Sequence, residues 1–136
     1  MDSGWRTLSS AEWVYLFNTR TVNNGQGSGK SYTSGQSVND VLGVVLYPDD
    51  YTGTTYTTGS DWSTFESAGC VFLPAAGYRD GTSVNNVGSL GFFWSSTAYG
   101  ADKAYIVTFG SGNESSTGNG RRRDRGYSVR LVRVAD

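Results

Sequence analysis

The residues with the most obvious chemistry are in the run from Arg121 to Arg125, where four arginines and one aspartate occupy consecutive positions. Guanidinium groups bind carboxylates and phosphates in a planar, two-pronged geometry, and they stack on aromatic rings. A charge cluster beside a loop can equally be a solvated surface, and Asp124 offsets part of the positive charge. The run leaves two interpretations open: a ligand-facing surface and an ordinary solvated one.

The charge of the whole chain restricts the partners. It carries 11 basic and 12 acidic residues, a net charge of −1. More than half of the basic residues lie in its last part, at Arg121, Arg122, Arg123, Arg125, Arg130 and Arg133. Recognition of nucleic acid normally needs a more basic domain, and no run approaches the roughly 18 apolar residues of a membrane span. We therefore expect no nucleic-acid partner and no membrane insertion.

Catalytic and metal-binding motifs are weak. The chain has no histidine, which excludes Ser-His-Asp triads and most zinc sites. Gly25–Ser31 resembles a phosphate-binding loop, but Asn24 stands where that motif needs glycine. Calcium remains an alternative at Asp49–Asp50, or at Asp80 with Asn85–Asn86, although turn chemistry explains these residues as well. We expect no enzymatic activity and no cofactor.

Length and composition predict one domain with an aromatic core. The chain has 136 residues, of which 14% are aromatic, and it has 19 glycines but only two prolines. Aromatic rings bury large areas and can replace many aliphatic side chains, while glycine serves the tight turns. Cys70 lies in an apolar run, so we expect a buried and unreactive thiol.

Two helices are predicted. Ser9–Glu12 forms a capping box, and the apolar positions that begin at Trp13 share one helical face as far as Thr19–Arg20. A second, shorter helix is predicted over Asp61–Ala68, with Ser60 as its N-cap.

Strands are predicted at residues 43–47, 70–73, 91–96, 104–109 and 128–134. In the fourth, alternation directs Tyr105, Val107 and Phe109 to the core and Ile106 and Thr108 to solvent. The polar stretches 21–39 and 111–120 are assigned to loops. Two helices with a β-rich second half predict an α+β fold.

Four segments resemble bacterial C-type-lectin-like domains. Gly4–Trp13 is similar to their "GWRTPT-x-x-EW" first helix. Gly77–Gly81 and Gly91–Thr97 are similar to "GYR-x-G … GYYWSST", and Arg123–Arg133 is similar to the closing "R-x-x-G-x-SVRLVR". The group includes the Fibrobacter major paralogous domains, the formylglycine-generating-enzyme-like fold and the variable proteins of diversity-generating retroelements. In this order the segments extend over nearly the whole chain.

The resemblance implies a single C-type-lectin-like domain over residues 1–136, the C-terminal part of a longer protein. Two helices would flank a small twisted antiparallel sheet with long loops. In the retroelement-diversified members, scattered solvent-facing positions vary on a fixed scaffold. The scaffold positions here would be Trp94, Val107, Phe109, Arg123, Gly126, Val129 and Leu131. The variable, ligand-binding positions would be Tyr99, Asp102, Lys103, Ile106, Thr108, Ser111, Asn113, Arg121, Arg122, Asp124, Arg125 and Tyr127.

Departures from the family limit what is carried over. The Glu-Pro-Asn, Gln-Pro-Asp and Trp-Asn-Asp motifs of calcium-dependent sugar-binding lectins do not occur. The paired cysteines of formylglycine-generating enzymes are also missing, since only Cys70 is present. Neither calcium-bridged sugar binding nor that oxidase activity is therefore implied.

The sequence predicts a non-enzymatic recognition module that acts at the cell surface, outside the cell or on a phage particle. Its partner would be a protein or glycan on another cell or surface. The alternative is a structural or assembly domain of a cell-surface or fimbrial protein, whose Arg-rich end docks a neighbouring domain.

Overall fold

The computed structural model describes residues 4–25, 29–112 and 115–133. The strands of this part of the chain are β1 (Trp5–Thr7), β2 (Tyr32–Val38), β3 (Val41–Leu46), β4 (Val71–Pro74), β5 (Tyr78–Asp80), β6 (Ser83–Asn85), β7 (Gly91–Tyr99), β8 (Lys103–Phe109), β9 (Ser115–Arg122), β10 (Arg125–Gly126) and β11 (Leu131–Arg133). The helices are α1 (Ser10–Val14), which continues as a π-helical turn over Tyr15–Thr19, and α2 (Trp62–Ser67).

The strands form four small antiparallel sheets. Their orders are β1-β11, β10-β5-β6, β2-β3-β4 and β7-β8-β9. Strand accounts for 45% and helix for only 13% of the described residues. The predicted α+β fold, with two helices flanking one sheet in C-type-lectin-like fashion, is therefore wrong: the domain is mostly β.

The error comes from two polar stretches that were assigned to loops. The first contains β2, and the second contains β9 as far as Gly120. In β2, Thr33 and Ser34 are buried as hydrogen-bonded side chains: the Thr33 hydroxyl lies 2.7 Å from the Tyr47 hydroxyl, and Ser34 donates to the Gly110 carbonyl at 3.0 Å. In β9, buried Thr117 accepts from Asn18 at 3.0 Å. Because polar partners permit this burial, no apolar alternation marks these strands.

The first helix is confirmed together with its capping box. The Glu12 amide donates to the Ser9 hydroxyl at 3.2 Å, and the Ser9 amide donates to the Glu12 carboxylate at 2.9 Å. Trp13 and Phe17 are buried, and the helical part ends at Thr19, as predicted.

The second helix is confirmed at nearly its predicted bounds, but its cap is different. Asp61, and not Ser60, accepts a hydrogen bond from the Ser63 amide at 3.2 Å. The cap lies one residue later than predicted because the Asp61 carboxylate is a stronger hydrogen-bond acceptor than the Ser60 hydroxyl. Its negative charge also interacts favourably with the positive end of the helix dipole.

The apolar strands are confirmed within a few residues, although the last begins at Leu131 and not at Ser128; its predicted end, Val134, lies outside the described residues. Two aromatic clusters form the core. The first core contains Leu8, Trp13, Phe17, Tyr32, Val44, Leu46, Leu73, Ala75, Phe93, Val107 and Phe109. The second contains Val22, Val38, Val45, Tyr47, Tyr51, Tyr56, Phe65 and Cys70. Burial raises the pKa of Cys70 to about 11, so the expected buried thiol is confirmed.

No helix among the described residues has the length and hydrophobicity that a membrane crossing requires.

Candidate ligand-binding face

Most of the predicted ligand-binding residues lie on or next to the sheet β7-β8-β9. Val107 and Phe109 of β8 are buried in the first core, as predicted. Since side chains alternate along a strand, Ile106 and Thr108 lie on the opposite side of the sheet. We call this side the outer face. Register places Trp94 and Asn119 on either side of Ile106, and Arg121 beside Ala104, on the same face.

The predicted exposure of Ile106 is wrong. Ile106 lies on the outer face, yet only 1% of its surface is accessible. At the edge of this sheet the backbone of Ser128 pairs with β7: its carbonyl accepts from the Trp94 amide and its amide donates to the Phe92 carbonyl, both at 3.0 Å. This docking lays the adjacent Tyr127 against the outer face. Ile106 is therefore a packing residue and not a contact for a ligand.

Tyr127 packs against other aromatic rings on the outer face. Its ring centre lies 4.7 Å from that of Trp94, 5.1 Å from Phe92 and 5.5 Å from Tyr78. Burial raises the pKa of Tyr127, and the charge of Arg121 opposes that rise. The ring is half-buried, so Tyr127 mainly joins β5, β7 and the segment after β10. We call this group of Tyr78, Phe92, Trp94 and Tyr127 the ring layer.

The arginines of the run differ in role: some are engaged within the fold, and one is available to a ligand. Arg125 pairs with Asp80 at 2.6 Å and thereby ties β10 to β5, with 29% of its side chain exposed. Arg123 donates to the Lys103 carbonyl at 3.2 Å. Arg122 pairs with Asp124 at 2.6 Å, and both side chains are more than half exposed. Arg122 and Asp124 are thus available to a ligand, whereas Arg125 is engaged within the fold.

The turn between β7 and β8 brings further predicted residues beside Arg122. Tyr99 pairs with Lys103, and Lys103 pairs with Arg122 across three strands. The Arg123 amide donates to the Asp102 carbonyl at 3.1 Å, which holds the two turns together. We call Tyr99, Asp102, Lys103, Arg122 and Asp124 the hairpin end.

Tyr99 has a fixed position although 42% of its surface is exposed. Its ring packs edge-on against Tyr105, with ring centres 4.8 Å apart. It also covers Gly120, where an added Cβ would lie 2.4 Å from the Tyr99 ring. Only glycine at position 120 therefore permits this placement. By these contacts Tyr99 lies on the same side of the sheet as Tyr105, opposite Tyr127.

The structure does not unite all the predicted residues. Ser111 is exposed beyond the far end of β8, roughly 26 Å along the chain direction from Lys103 at about 3.3 Å per residue. Half-buried Thr108 pairs with Ser116 towards that same far end. Asn113 lies outside the described residues.

Several predicted scaffold residues are exposed. Val129 and Leu131 are 54% and 52% exposed, and Arg123 and Gly126 are exposed as well. The short ladder between β1 and β11 buries only one side of the closing strand, on which Val132 packs against the first core. The motif pattern cannot distinguish the two sides.

Sequence reasoning missed the roles of three residues of this region, and it directed one of them, Tyr105, to the core, whereas Tyr105 is half-buried and belongs to neither core cluster. Asp80 anchors Arg125, Tyr105 supports Tyr99, and Asn119 lies beside Ile106 on the outer face. Asp80 and Arg125 are far apart in sequence, so only tertiary pairing shows the contact. Asn119 was hidden because its strand was assigned to a loop.

Three carboxylates have pKa values lowered by neighbouring hydrogen-bond donors. The Arg6 guanidinium holds the pKa of Glu12 at about 2, and hydrogen bonds from Arg20 and Ser63 lower the pKa of Asp49 and Asp61. Such groups carry no proton at neutral pH. Within the described ranges, no three His, Cys, Asp or Glu side chains are grouped to hold a metal ion.

Comparison with known proteins gives one match. Residues 57–132 match the family described as a domain of unknown function, DUF8237. The matched segment is more than half of the chain, and it includes the whole hairpin end and the ring layer. No curated protein and no solved structure matches the chain. The chain belongs to the DUF8237 family.

Proposed function

We propose that the domain is a non-enzymatic ligand-binding module whose contact surface is the hairpin end. The observation that supports this is the alignment of Tyr99, Lys103 and Arg122 across three hydrogen-bonded strands. An exposed tyrosine held by its neighbours costs little conformational entropy when it binds.

The side chains of the hairpin end offer several kinds of contact. Tyr99 supplies a flat, rigid area, and Arg122 can grip a carboxylate with two donors. Asp102 and Asp124 add acceptors beside these donors. A surface with both charges and a ring suits a protein or glycan that carries hydroxyls and carboxylates.

The setting of the proposed function rests on the motif resemblance of residues 4–133. By that resemblance, the module acts outside the cell, on the cell surface or on a phage particle. Its ligand is then a protein or glycan on another cell or surface. The same resemblance favours side chains at the hairpin end that differ between copies of the domain while the strands beneath stay unchanged.

The test measures binding of the fluorescently labelled domain to a panel of intact bacterial cells by flow cytometry. The variant Tyr99→Ala/Arg122→Ala removes the ring and one guanidinium from the hairpin end. The matched control is Tyr15→Ala/Arg6→Ala, because Tyr15 is also 46% exposed and Arg6 forms an exposed ion pair of the same 2.6 Å length with Glu12. We expect at least a tenfold loss of binding in the first variant and less than a twofold change in the control.

Equal losses in the two variants would contradict the assignment of the contact surface. The assembly function predicts a different result. No cell would bind the domain, and Arg122 would be shielded from an arginine-modifying reagent only when the preceding part of a longer protein is attached.

A further inference from the structure

A second surface of the domain contains an apolar groove of about 470 Å³. It lies between the β1–β11 pair, helix α1 and strands β3 and β4. Its floor includes the core residues Leu8 and Leu73, whereas Trp5 and Leu131 on the rim are each 52% exposed. The volume falls in the range of small-molecule sites, and the groove shares no residue with the hairpin end.

The exposure of the apolar rim side chains to water is unfavourable in free energy. Trp5 and Leu131 are large apolar side chains, and they are exposed beside other apolar surface of the groove. An apolar ligand that enters would remove both from water, which is the main driving force for binding at such surfaces.

The charged side chains that line the groove are all positive. Its lining contains three arginines and neither aspartate nor glutamate. Arg20 is structural: only 7% of its side chain is exposed, it pairs with Asp49 at 2.9 Å, and it donates to the Leu16 carbonyl at 3.0 Å. Arg130 and Arg133 are exposed. Neither forms an ion pair with any carboxylate in residues 4–25, 29–112 and 115–133.

From this combination we propose that the groove binds an amphipathic carboxylate, a small molecule with an apolar tail and one anionic head. The tail lies on the Leu8 and Leu73 floor beneath Trp5 and Leu131. The head pairs with Arg130 and Arg133, since guanidinium groups form charge-assisted hydrogen bonds with carboxylates. The site is independent of the hairpin end and of its proposed function.

The domain carries its own reporters for a test, because Trp5 and Trp13 both line the groove. Decanoate, decanol and decyltrimethylammonium, all below their micelle concentrations, are titrated while tryptophan emission is recorded. Decanoate should shift the emission to shorter wavelength, and it should bind at least tenfold more tightly than decanol. Decyltrimethylammonium should bind more weakly than either.

Two double variants separate the guanidinium pair from the general charge of the protein. Arg130→Gln/Arg133→Gln should weaken decanoate binding about tenfold and leave decanol binding unchanged. Arg79→Gln/Arg122→Gln removes the same charge away from the groove and should change neither. If the first variant does not fold, Leu131→Glu at the exposed rim replaces it and should reverse the preference in favour of decyltrimethylammonium.

Three results would overturn the proposal. Equal affinities for decanol and decanoate would show that the charge is not recognised. Equal weakening in both double variants would show general electrostatic attraction. Absence of binding, with self-association in sedimentation that buries Trp5, would show that a second copy of the chain covers the groove.

Discussion

The hairpin end contains a tyrosine and an arginine, and so does the region formed by the ring layer and the neighbouring Arg125, but the two regions use them differently. Tyr127 packs against three rings, whereas Tyr99 packs against one and keeps 42% of its surface exposed. Arg125 ties two strands together, whereas Arg122 pairs only with Asp124, two residues away. The difference is the pairing of Ser128 with β7, which brings the adjacent Tyr127 against the rings of Phe92 and Trp94. Residue type alone does not distinguish a contact surface from a packed one.

The largest expected effect is at buried Ile106, which lies beside Trp94 on the outer face. Ile106→Asn would bury an amide where an apolar side chain packs, and we expect a loss of about 3 kcal/mol in the free energy of unfolding. Lys103→Asn at the hairpin end is the matched control and should change it by less than about 0.5 kcal/mol. Urea unfolding measures both. A small loss at Ile106 would remove the distinction between the two regions.

Tyr127→Ala should have the second largest effect. We expect it to lower the free energy of unfolding by about 2 kcal/mol, because the half-buried ring packs among three others. Tyr99→Ala should cost less than about 1 kcal/mol, since one ring contact is lost and the site is open to water. The melting temperatures of the two variants, measured by thermal unfolding, give the comparison. A greater loss at Tyr99 than at Tyr127 would reverse the roles assigned here.

Gly120→Ala tests whether the Tyr99 ring is fixed. The new methyl group would lie 2.4 Å from that ring, so the ring must move, and we expect a cost of about 1 kcal/mol. In a Tyr99→Ala background the same substitution should cost almost nothing, which a double-mutant cycle would show. Additive effects would mean that Tyr99 does not rest on position 120.

The smallest expected effect compares two exposed ion pairs. Glu12 has its pKa lowered from 4.5 to about 2 by Arg6 and by the Ser9 amide. A carboxyl with a lowered folded-state pKa stabilises the fold above its ordinary value, and this contribution is lost as the pH falls towards 2. Because the pair is exposed, we expect below about 1 kcal/mol.

Glu12→Gln should therefore flatten the decrease of melting temperature between about pH 4.5 and pH 2. Asp124→Asn, in an exposed pair of the same length that has no capping role, is the control for the loss of an exposed ion pair alone. Identical profiles for the two variants would argue against a special role of the capping box.

The sequence allowed prediction wherever a local signal coincided with burial. The Ser9–Glu12 capping box and the apolar runs around Val44, Phe72 and Val107 identify their elements because each carries its own hydrophobic or capping pattern. Strands β2 and β9 lacked such a signal, because buried Thr33, Ser34 and Thr117 are satisfied by hydrogen bonds to distant partners. The fold class was consequently wrong.

The candidate site was predictable only in part for the same reason. Alternation placed Ile106 on the correct side of β8, but its 1% accessibility depends on tertiary packing beside Trp94 that no local pattern shows. The exposed turn residues Asp102 and Asp124 needed no such information, since turns between strands lie at the surface. Local pattern gives the side of a strand, and tertiary docking decides whether that side meets water.

The pairing of β1 with β11 has a mechanical consequence. Trp5 is opposite Arg133, and Thr7 is opposite Leu131, in an antiparallel ladder. A force applied through residues 5 and 133 would act across this ladder at one end and open its hydrogen bonds one after another, as a zipper opens. Resistance to pulling should therefore be low at first, and the sheets that carry the hairpin end would feel tension only after that ladder had parted.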